Sequence, residues 1–341
     1  MKVLQVFLVC LVASGSAFHS SYILPSDDSW FCPNFLNGTF SWVKRTLVEG
    51  ELKWMEQLPD LVTYHLYTRA NPNKKQILTT HDVSSLQRSN FISSIPTRII
   101  IHGFQSSADL PVCSMLRDAY LKKEPSNIIC VDWGLIASLT YPTARFVAPS
   151  VGDDLAMFID FLCRAGGMPI ENLHVIGHSL GAHVAGISGK SLRNYNREIP
   201  VIIGCDPALI LFDYDDCSSR LCKTDAGFVE TIQTAGGGLG FLGPIGSGSY
   251  YPNGGVIQPG CGIDIIGVCA HSRSYEYLAE AIDLDDFLTV QCSSLASAVK
   301  KACGRKYSSV KMGSRNSLGV NGIFYVPVNS KPPYGKGHTY S

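Results

Sequence analysis

The pentapeptide at residues 177–181, GHSLG, constrains the fold of this chain more than any other feature. It follows the apolar run 173–176 directly and precedes a helical stretch. A short strand that leads into G-x-S-x-G and then into a helix indicates a sharp turn with Ser179 at its apex. The Ser179 hydroxyl would be exposed near the positive end of that helix. Five residues alone also fit an ordinary glycine-rich turn, so the interpretation depends on partner residues elsewhere.

Short apolar strands alternate with helical patterns through the central part of the chain. The β-branched or apolar runs are 98–101, 127–131, 173–176 and 201–203. Between Val151 and Leu162 the apolar residues fall on one face of a helix. This alternation predicts a mostly parallel, doubly wound sheet with helices on both faces. Functional residues of such sheets gather beyond the carboxyl ends of the strands, where three runs end in a polar residue: His102, Ser179 and Asp206.

The chain order of a serine, acid and histidine triad in α/β hydrolases makes the histidine easy to find. Of nine histidines, only His271 and His338 come far enough after Ser179 to lie on a later loop. His338 belongs to a terminal stretch that we expect to fray. His271 is therefore the predicted general base.

Asp206 is the predicted acid because it ends an apolar strand and precedes Pro207, which turns the chain away from the sheet. A carboxylate there could fix the tautomer of His271 and stabilise its imidazolium form. A purely structural Asp-Pro turn is the alternative. For the oxyanion hole we expect two backbone amides, those of Phe104 and Leu180.

The amino-terminal residues predict export. Lys2, an apolar core and small residues up to Ala17 form a signal peptide, residues 1–17, which leaves residues 18–341 as a single domain. No later segment is long and apolar enough for a membrane helix. We therefore expect a secreted, extracellular protein, with Asn37 in an N-glycosylation site.

Composition narrows the class of function. The 28 basic and 28 acidic side chains give zero formal net charge, and no basic run is present. Nucleic acid is therefore not an expected partner. Of the 12 cysteines, all but Cys10 follow the predicted signal peptide, which indicates disulfides and at least one unpaired thiol.

Together with the segments around them, these residues resemble the pancreatic lipase family. The similar blocks, in the same order, are 128–134 (IICVDWG), 171–186 (ENLHVIGHSLGAHVAG), 205–208 (CDPA), 251–255 (YPNGG), 258–261 (QPGC) and 271–277 (HSRSYEY). The resemblance covers roughly residues 95–326. It implies an α/β-hydrolase fold and a secreted carboxylic-ester hydrolase that acts on lipids, with Ser179, Asp206 and His271 as the triad.

Two loops depart from the family pattern. The lid of the family matches the segment between Cys261 and Cys269, where seven residues are too few for an amphipathic helical flap. The glycine-rich loop 235–250 is also short. Both features are similar to the secreted phospholipase A1 members, including those of insect venoms, in which an open site accommodates polar head groups.

The sequence also stops soon after residues 322–326, so we expect no C-terminal β-sandwich domain and no colipase partner. The predicted protein is a monomeric phospholipase A1 that works at a membrane or lipid-aggregate surface, hydrolyses the sn-1 ester of phospholipids and needs no cofactor. A neutral triacylglycerol lipase is the alternative. A non-catalytic lipid-binding or yolk-type homologue is disfavoured because all three triad positions are intact.

The resemblance also suggests disulfides. It implies Cys32–Cys113 and Cys261–Cys269, and closeness in sequence suggests Cys292–Cys303. Cys130 and Cys163 either pair or are both buried thiols, and Cys205 is the expected unpaired thiol.

Some family members bind a structural calcium ion. Two of the acidic ligand positions align with Cys217 and Cys222, while Arg220 and Asp225 are retained. Because calcium prefers six to eight oxygen ligands, we predict that no metal binds there and that a Cys217–Cys222 disulfide braces the loop instead.

Overall fold

The computed structural model describes residues 61–313 and 319–337. The strands are β1 (Thr63–Tyr67), β2 (Gln76–Leu78), β3 (Thr97–Ile101), β4 (Asn127–Asp132), β5 (Leu173–His178), β6 (Val201–Cys205), β7 (Phe228–Ile232), β8 (Gly248–Pro252), β9 (Val290–Cys292) and β10 (Gly322–Val326). The helices are α1 (Val83–Gln87), α2 (Pro111–Lys123), α3 (Gly134–Ala137), α4 (Tyr141–Arg164), α5 (Leu180–Leu192), α6 (Val268–Leu284) and α7 (Leu295–Val299). The predicted signal peptide, Cys32, Asn37 and His338 lie outside the described residues.

All ten strands form one sheet in the order β2-β1-β4-β3-β5-β6-β7-β8-β10-β9. β1 runs antiparallel to β2 and β4, and β9 runs antiparallel to β10. The strands between them pair in parallel. The mostly parallel sheet of an α/β hydrolase is thus confirmed.

Helices cover both faces of this sheet, as the strand composition predicts. On one face, Ile100 and Ile176 join the hydrophobic core cluster to which α2 and α6 contribute. On the other face, the ring of Tyr64 stacks on Phe158 of α4, with 3.6 Å between ring centroids. The Tyr64 hydroxyl also donates to Asp154 of α4 at 2.5 Å. Strands buried on both faces need no polar alternation, which explains their continuous apolar runs.

The register of the central strands decides where the polar residues after them meet. Ile101 at the end of β3 lies opposite Gly177 of β5, and His178 lies opposite Cys205 at the end of β6. The residues that follow these three strands therefore emerge side by side at one edge of the sheet. This is the edge at which parallel α/β sheets hold their ligands.

Four disulfides lie within the described residues: Cys113–Cys130, Cys217–Cys222, Cys261–Cys269 and Cys292–Cys303. The last three were predicted and are confirmed.

The predicted Cys32–Cys113 pair is wrong, because Cys113 is bonded to Cys130. Helix α2 packs on β4 and brings the two Cα atoms to 6.1 Å, a distance that a disulfide spans without strain on the backbone. Neither alternative for Cys130 holds, and Cys163 is an unpaired, partly exposed thiol. Cys205 is unpaired and buried, as expected.

Within the described part of the chain, no helix combines the length and the apolar character needed to cross a bilayer.

Candidate active site

Ser179 stands at a sharp turn between β5 and α5. Its backbone has φ 56° and ψ −122°, a conformation that costs a non-glycine residue on the order of 1–3 kcal/mol. Two backbone hydrogen bonds hold it there. The Ser179 amide donates to the Cys205 carbonyl at 3.0 Å, and the Ala208 amide donates to the Ser179 carbonyl at 3.2 Å. The turn is therefore the strained elbow that the G-x-S-x-G pattern predicts.

The two glycines of the motif are required by close backbone contacts. A Cβ atom on Gly177 would lie 2.3 Å from the Gly181 carbonyl oxygen. A Cβ atom on Gly181 would lie 2.4 Å from the carbonyl oxygen of His102. Both obstacles are backbone atoms, which cannot move aside as a flexible side chain could. The elbow is thus pressed against the loop that follows β3.

Asp206 is fully buried and follows β6 directly. Its Oδ2 accepts a hydrogen bond from His271 Nδ1 at 2.5 Å. Its Oδ1 accepts from the amides of Thr234 at 2.7 Å and Ala235 at 3.0 Å. These three donors offset the cost of burying a carboxylate. A proton held on Nδ1 leaves Nε2 of His271 able to act as a base.

His271 lies in the first turn of α6. Its amide donates to the carbonyl of Gly267, which precedes the helix with φ 76°. His271 as a whole residue is 9% exposed, and Ser179 is 8% exposed. The structure thus joins Asp206 to His271 directly. It also brings Ser179 close to Asp206, because the Ser179 amide donates to the carbonyl of Cys205, the residue before Asp206.

His178 has a contact that the sequence analysis did not predict. Its Nε2–H donates to the backbone carbonyl of His271 at 3.3 Å, and the two ring centroids are 4.5 Å apart. Burial and the neighbouring His271 hold the pKa of His178 well below its usual range, so the ring is uncharged at neutral pH. In the sequence, the one sign that His178 could contribute to the site is that it directly precedes Ser179. This contact links the elbow to the turn that carries His271.

The loop after β3 lies against the elbow in a defined conformation. A Cβ atom on Gly103 would lie 2.7 Å from the Cβ of Ser179, so only glycine fits. His102 Nδ1–H donates to the Gly103 carbonyl at 2.9 Å, and Trp133 Nε1–H donates to the His102 carbonyl at 2.9 Å. The Trp133 ring also stacks on His102. Trp133 belongs to the block 128–134 that resembles the lipase family, but no pattern in the sequence predicts this contact with His102.

The two amides predicted for the oxyanion hole lie on either side of the contact between the Gly103 loop and the Ser179 elbow. Phe104 follows Gly103, and Leu180 follows Ser179 as the first residue of α5. Within residues 61–313 and 319–337, neither amide donates a hydrogen bond to a backbone carbonyl in a turn, loop or helix cap. First-turn amides of a helix lack intrahelical acceptors and are available to an anion. Both positions are therefore compatible with binding negative charge that develops beside Ser179.

The segment between Cys261 and Cys269 is short and non-helical up to Gly267, as predicted. Its disulfide holds the two Cα atoms 5.7 Å apart. The glycine-rich loop that begins at Ala235 packs close to the acid, because a Cβ on Gly240 would lie 2.5 Å from the Asp206 carboxylate. Neither loop forms a helical flap over the site.

The loop that aligns with a calcium site in some relatives offers a poor donor set for that ion. Cys217 and Cys222 are bonded to each other. The Asp225 Oδ2 accepts from the Lys190 ammonium group at 2.5 Å and from the Cys222 amide at 2.8 Å. Calcium prefers six to eight oxygen ligands, whereas here a disulfide occupies two of the corresponding positions and a lysine ammonium group is bonded to the retained aspartate. The residues of this loop therefore do not fit a calcium site.

Similarity to curated proteins extends over most of the chain. It is 34% identical over 303 residues to "Probable phospholipase A1 magnifin" of Vespa magnifica, which covers 84% of this chain and 89% of that protein. It is 36% identical to "Pancreatic triacylglycerol lipase" of Myocastor coypus, covering 73% of this chain and 59% of that protein. It is also 36% identical to "Inactive pancreatic lipase-related protein 1" of Homo sapiens, with 70% and 55% covered.

A family model named Lipase also matches the chain, over residues 40–334. This range contains the elbow, the buried Asp206 and the helix that carries His271. It also contains both loops that depart from the full-length lid pattern. The chain therefore belongs to the lipase family.

Proposed function

We propose that this protein is a secreted serine hydrolase of lipid esters, and that its main activity is that of a phospholipase A1. One observation carries the proposal: His271 is hydrogen-bonded to the buried Asp206 next to a serine held in a strained elbow. In this role Ser179 is the nucleophile, His271 is the general base and Asp206 orients the imidazole.

The geometry supports a two-step acyl transfer. His271 Nε2 takes the hydroxyl proton as Ser179 Oγ attacks the ester carbonyl carbon, and the amides of Phe104 and Leu180 bind the oxyanion. The imidazolium then protonates the departing lysolipid oxygen, which leaves an acyl-enzyme. Water attacks this ester with the same base, which releases the fatty acid and restores Ser179.

The preference for phospholipids is supported by the two short loops and by a relative's name. A seven-residue segment locked by Cys261–Cys269 cannot fold over the opening, so polar head groups meet no flap. The magnifin protein, named a probable phospholipase A1, matches 89% of its own length. The pancreatic lipase of the coypu matches over only 59% of its length.

The decisive experiment follows products from a phosphatidylcholine with different acyl chains at its two positions. We expect release of the sn-1 chain by the purified protein and none by Ser179→Ala. Ser191→Ala, which changes another serine near the end of α5, is a matched control that should keep full activity. Release of the sn-2 chain alone, or equal activity of Ser179→Ala, would contradict the proposal.

A neutral triacylglycerol lipase is the second candidate, favoured by the 36% identity to a pancreatic triacylglycerol lipase. Parallel assays on triolein and phosphatidylcholine separate the two. A higher kcat/KM on triolein would replace the phospholipase assignment while keeping the same catalytic residues.

A non-catalytic role is the third candidate, since one relative of 36% identity is named inactive. Labelling of Ser179 by an organophosphonate ester distinguishes it, because only an activated serine reacts.

Export from the cell is part of the proposed function. Amino-terminal sequencing of protein secreted by expressing cells should begin directly after Ala17, and glycosidase treatment should reveal a glycan at Asn37.

A further inference from the structure

Two isoleucines on the disulfide-closed segment are unusually exposed. Ile263 is 92% and Ile265 is 83% exposed, more than any other large hydrophobic residue in the described parts of the chain. Leaving such side chains in water forgoes the favourable transfer that drives folding. We call Ile263 and Ile265 the isoleucine tip.

The tip presents no charge, although an aspartate lies between its two members. Asp264 is the one charged residue between Val256 and Val268. Its Oδ1 accepts from the Cys269 amide at 3.2 Å, and its Oδ2 accepts from the Ala270 amide at 2.7 Å. The carboxylate is thus folded back onto the positive amino-terminal end of α6, where the helix dipole favours it. The two side chains that stand fully in solvent, those of Ile263 and Ile265, are therefore apolar.

The tip is held in place beside the candidate active site. The Cys261–Cys269 disulfide closes its base, and the Gly267 amide donates to the Asp264 carbonyl at 3.1 Å. Two residues beyond the disulfide lies His271. A Cβ on Gly267 would lie 3.8 Å from the side chain of Ala235, the residue whose amide binds Asp206. The tip therefore lies close to the triad, on the segment that leads into the turn carrying His271.

We propose that the isoleucine tip is a fixed anchor that inserts into the hydrocarbon region of a phospholipid surface and seats the active-site opening on it. The inference rests on the proposed function, which supplies a lipid as the adjacent substrate. An uncharged tip matches hydrocarbon and offers no charge pattern for a specific protein partner. Two side chains also expose far less than the roughly 1,000 Å² that a stable interface with a second copy requires.

The test measures binding of the whole protein to vesicles of ether-linked dialkyl phosphatidylcholine, which contain no ester to hydrolyse. We compare the native protein with the double variant Ile263→Ser/Ile265→Ser. Each isoleucine that no longer inserts into the hydrocarbon of the vesicle should weaken binding roughly tenfold. The matched control is Ile92→Ser. Ile92 is 49% exposed and contacts Asn127 at the amino end of β4, on the opposite edge of the sheet. This control should bind like the native protein.

A second readout separates docking from chemistry. Turnover of a short-chain ester that stays monomeric in solution should be the same in the native protein and the double variant. If that turnover falls together with binding, the segment shapes the site, and the anchor proposal is wrong. Unchanged vesicle binding by the double variant would also overturn it. So would binding that requires anionic lipid, or self-association that the double substitution abolishes. Failure of the proposed function would differ from all of these, because the native protein would then release no sn-1 chain from ester-linked phosphatidylcholine, whatever its binding to the ether-linked vesicles.

Discussion

At the scale of single residues, Asp206 shows how burial and hydrogen bonding prepare one side chain for a role. Three donors converge on its two oxygens, and one of them is the Nδ1–H of His271. The backbone at Asp206 has φ 44°, so the chain accepts an unfavourable conformation to aim this carboxylate. A simple Asp-Pro turn, the alternative that the sequence left open, explains neither the aim nor the histidine.

The substitution Asp206→Asn should reduce kcat on a soluble ester by about 10⁴-fold, because an amide facing His271 favours the wrong tautomer. The thermal unfolding midpoint should change little, since the asparagine oxygen still accepts from the Thr234 and Ala235 amides. Asp213→Asn, a change of an exposed aspartate in the following loop, is the matched control and should keep native kcat. A variant Asp206→Asn with native kcat would show that the contact to His271 has no part in catalysis.

At the scale of elements, the disulfides show what helix packing adds to sequence spacing. Cys217–Cys222 and Cys261–Cys269 join residues close in sequence, and the resemblance to the lipase family pointed to both pairs. Cys113–Cys130 instead joins α2 to β4 across the core. Its partners could be found only when the packing of that helix on that strand was known.

The Cys113–Cys130 bond should therefore contribute more to stability than Cys217–Cys222. The closed loops have sequence separations of 17 and 5 residues, for which chain entropy predicts about 3 and about 2 kcal/mol. Urea unfolding of Cys113→Ala/Cys130→Ala and Cys217→Ala/Cys222→Ala measures the two losses. Peptide mapping of the unreduced protein checks the pairing. A peptide of Cys113 linked to that of Cys32 would contradict the structure.

At the scale of the whole molecule, zero formal net charge means that stability changes near neutral pH come from buried groups more than from overall repulsion. Glu230 of β7 is one such group. It is 1% exposed and accepts from the Gly313 amide at 2.8 Å. Burial raises the pKa of Glu230 from 4.5 to about 7, although that hydrogen bond acts in the opposite direction.

Because the folded state holds this proton more tightly than the unfolded chain, the stabilisation is complete below pH 4.5 and is lost as pH rises to about 7. Glu230→Gln can keep the Gly313 bond but cannot ionise. Relative to the native protein, its free energy of unfolding should increase by about 3 kcal/mol between these pH values. Urea unfolding across pH 4 to pH 8 measures the difference, with the exposed Glu171→Gln as control. A difference that stays constant with pH would refute the role of Glu230.

The sequence by itself determined the sheet class, the elbow and the three candidate triad residues. These follow from local rules: β-branched runs form strands, glycines permit a strained turn, and the order of residues limits the choice of histidine. Ser179, Asp206 and His271 were all identified in this way, and the structure brings them to one edge of the sheet.

Tertiary structure decided the features that depend on contacts between distant segments. It paired Cys113 with Cys130 and placed the His178 ring on His271. No local pattern encodes these contacts, because each depends on how helices pack against the sheet and on which groups that packing removes from water.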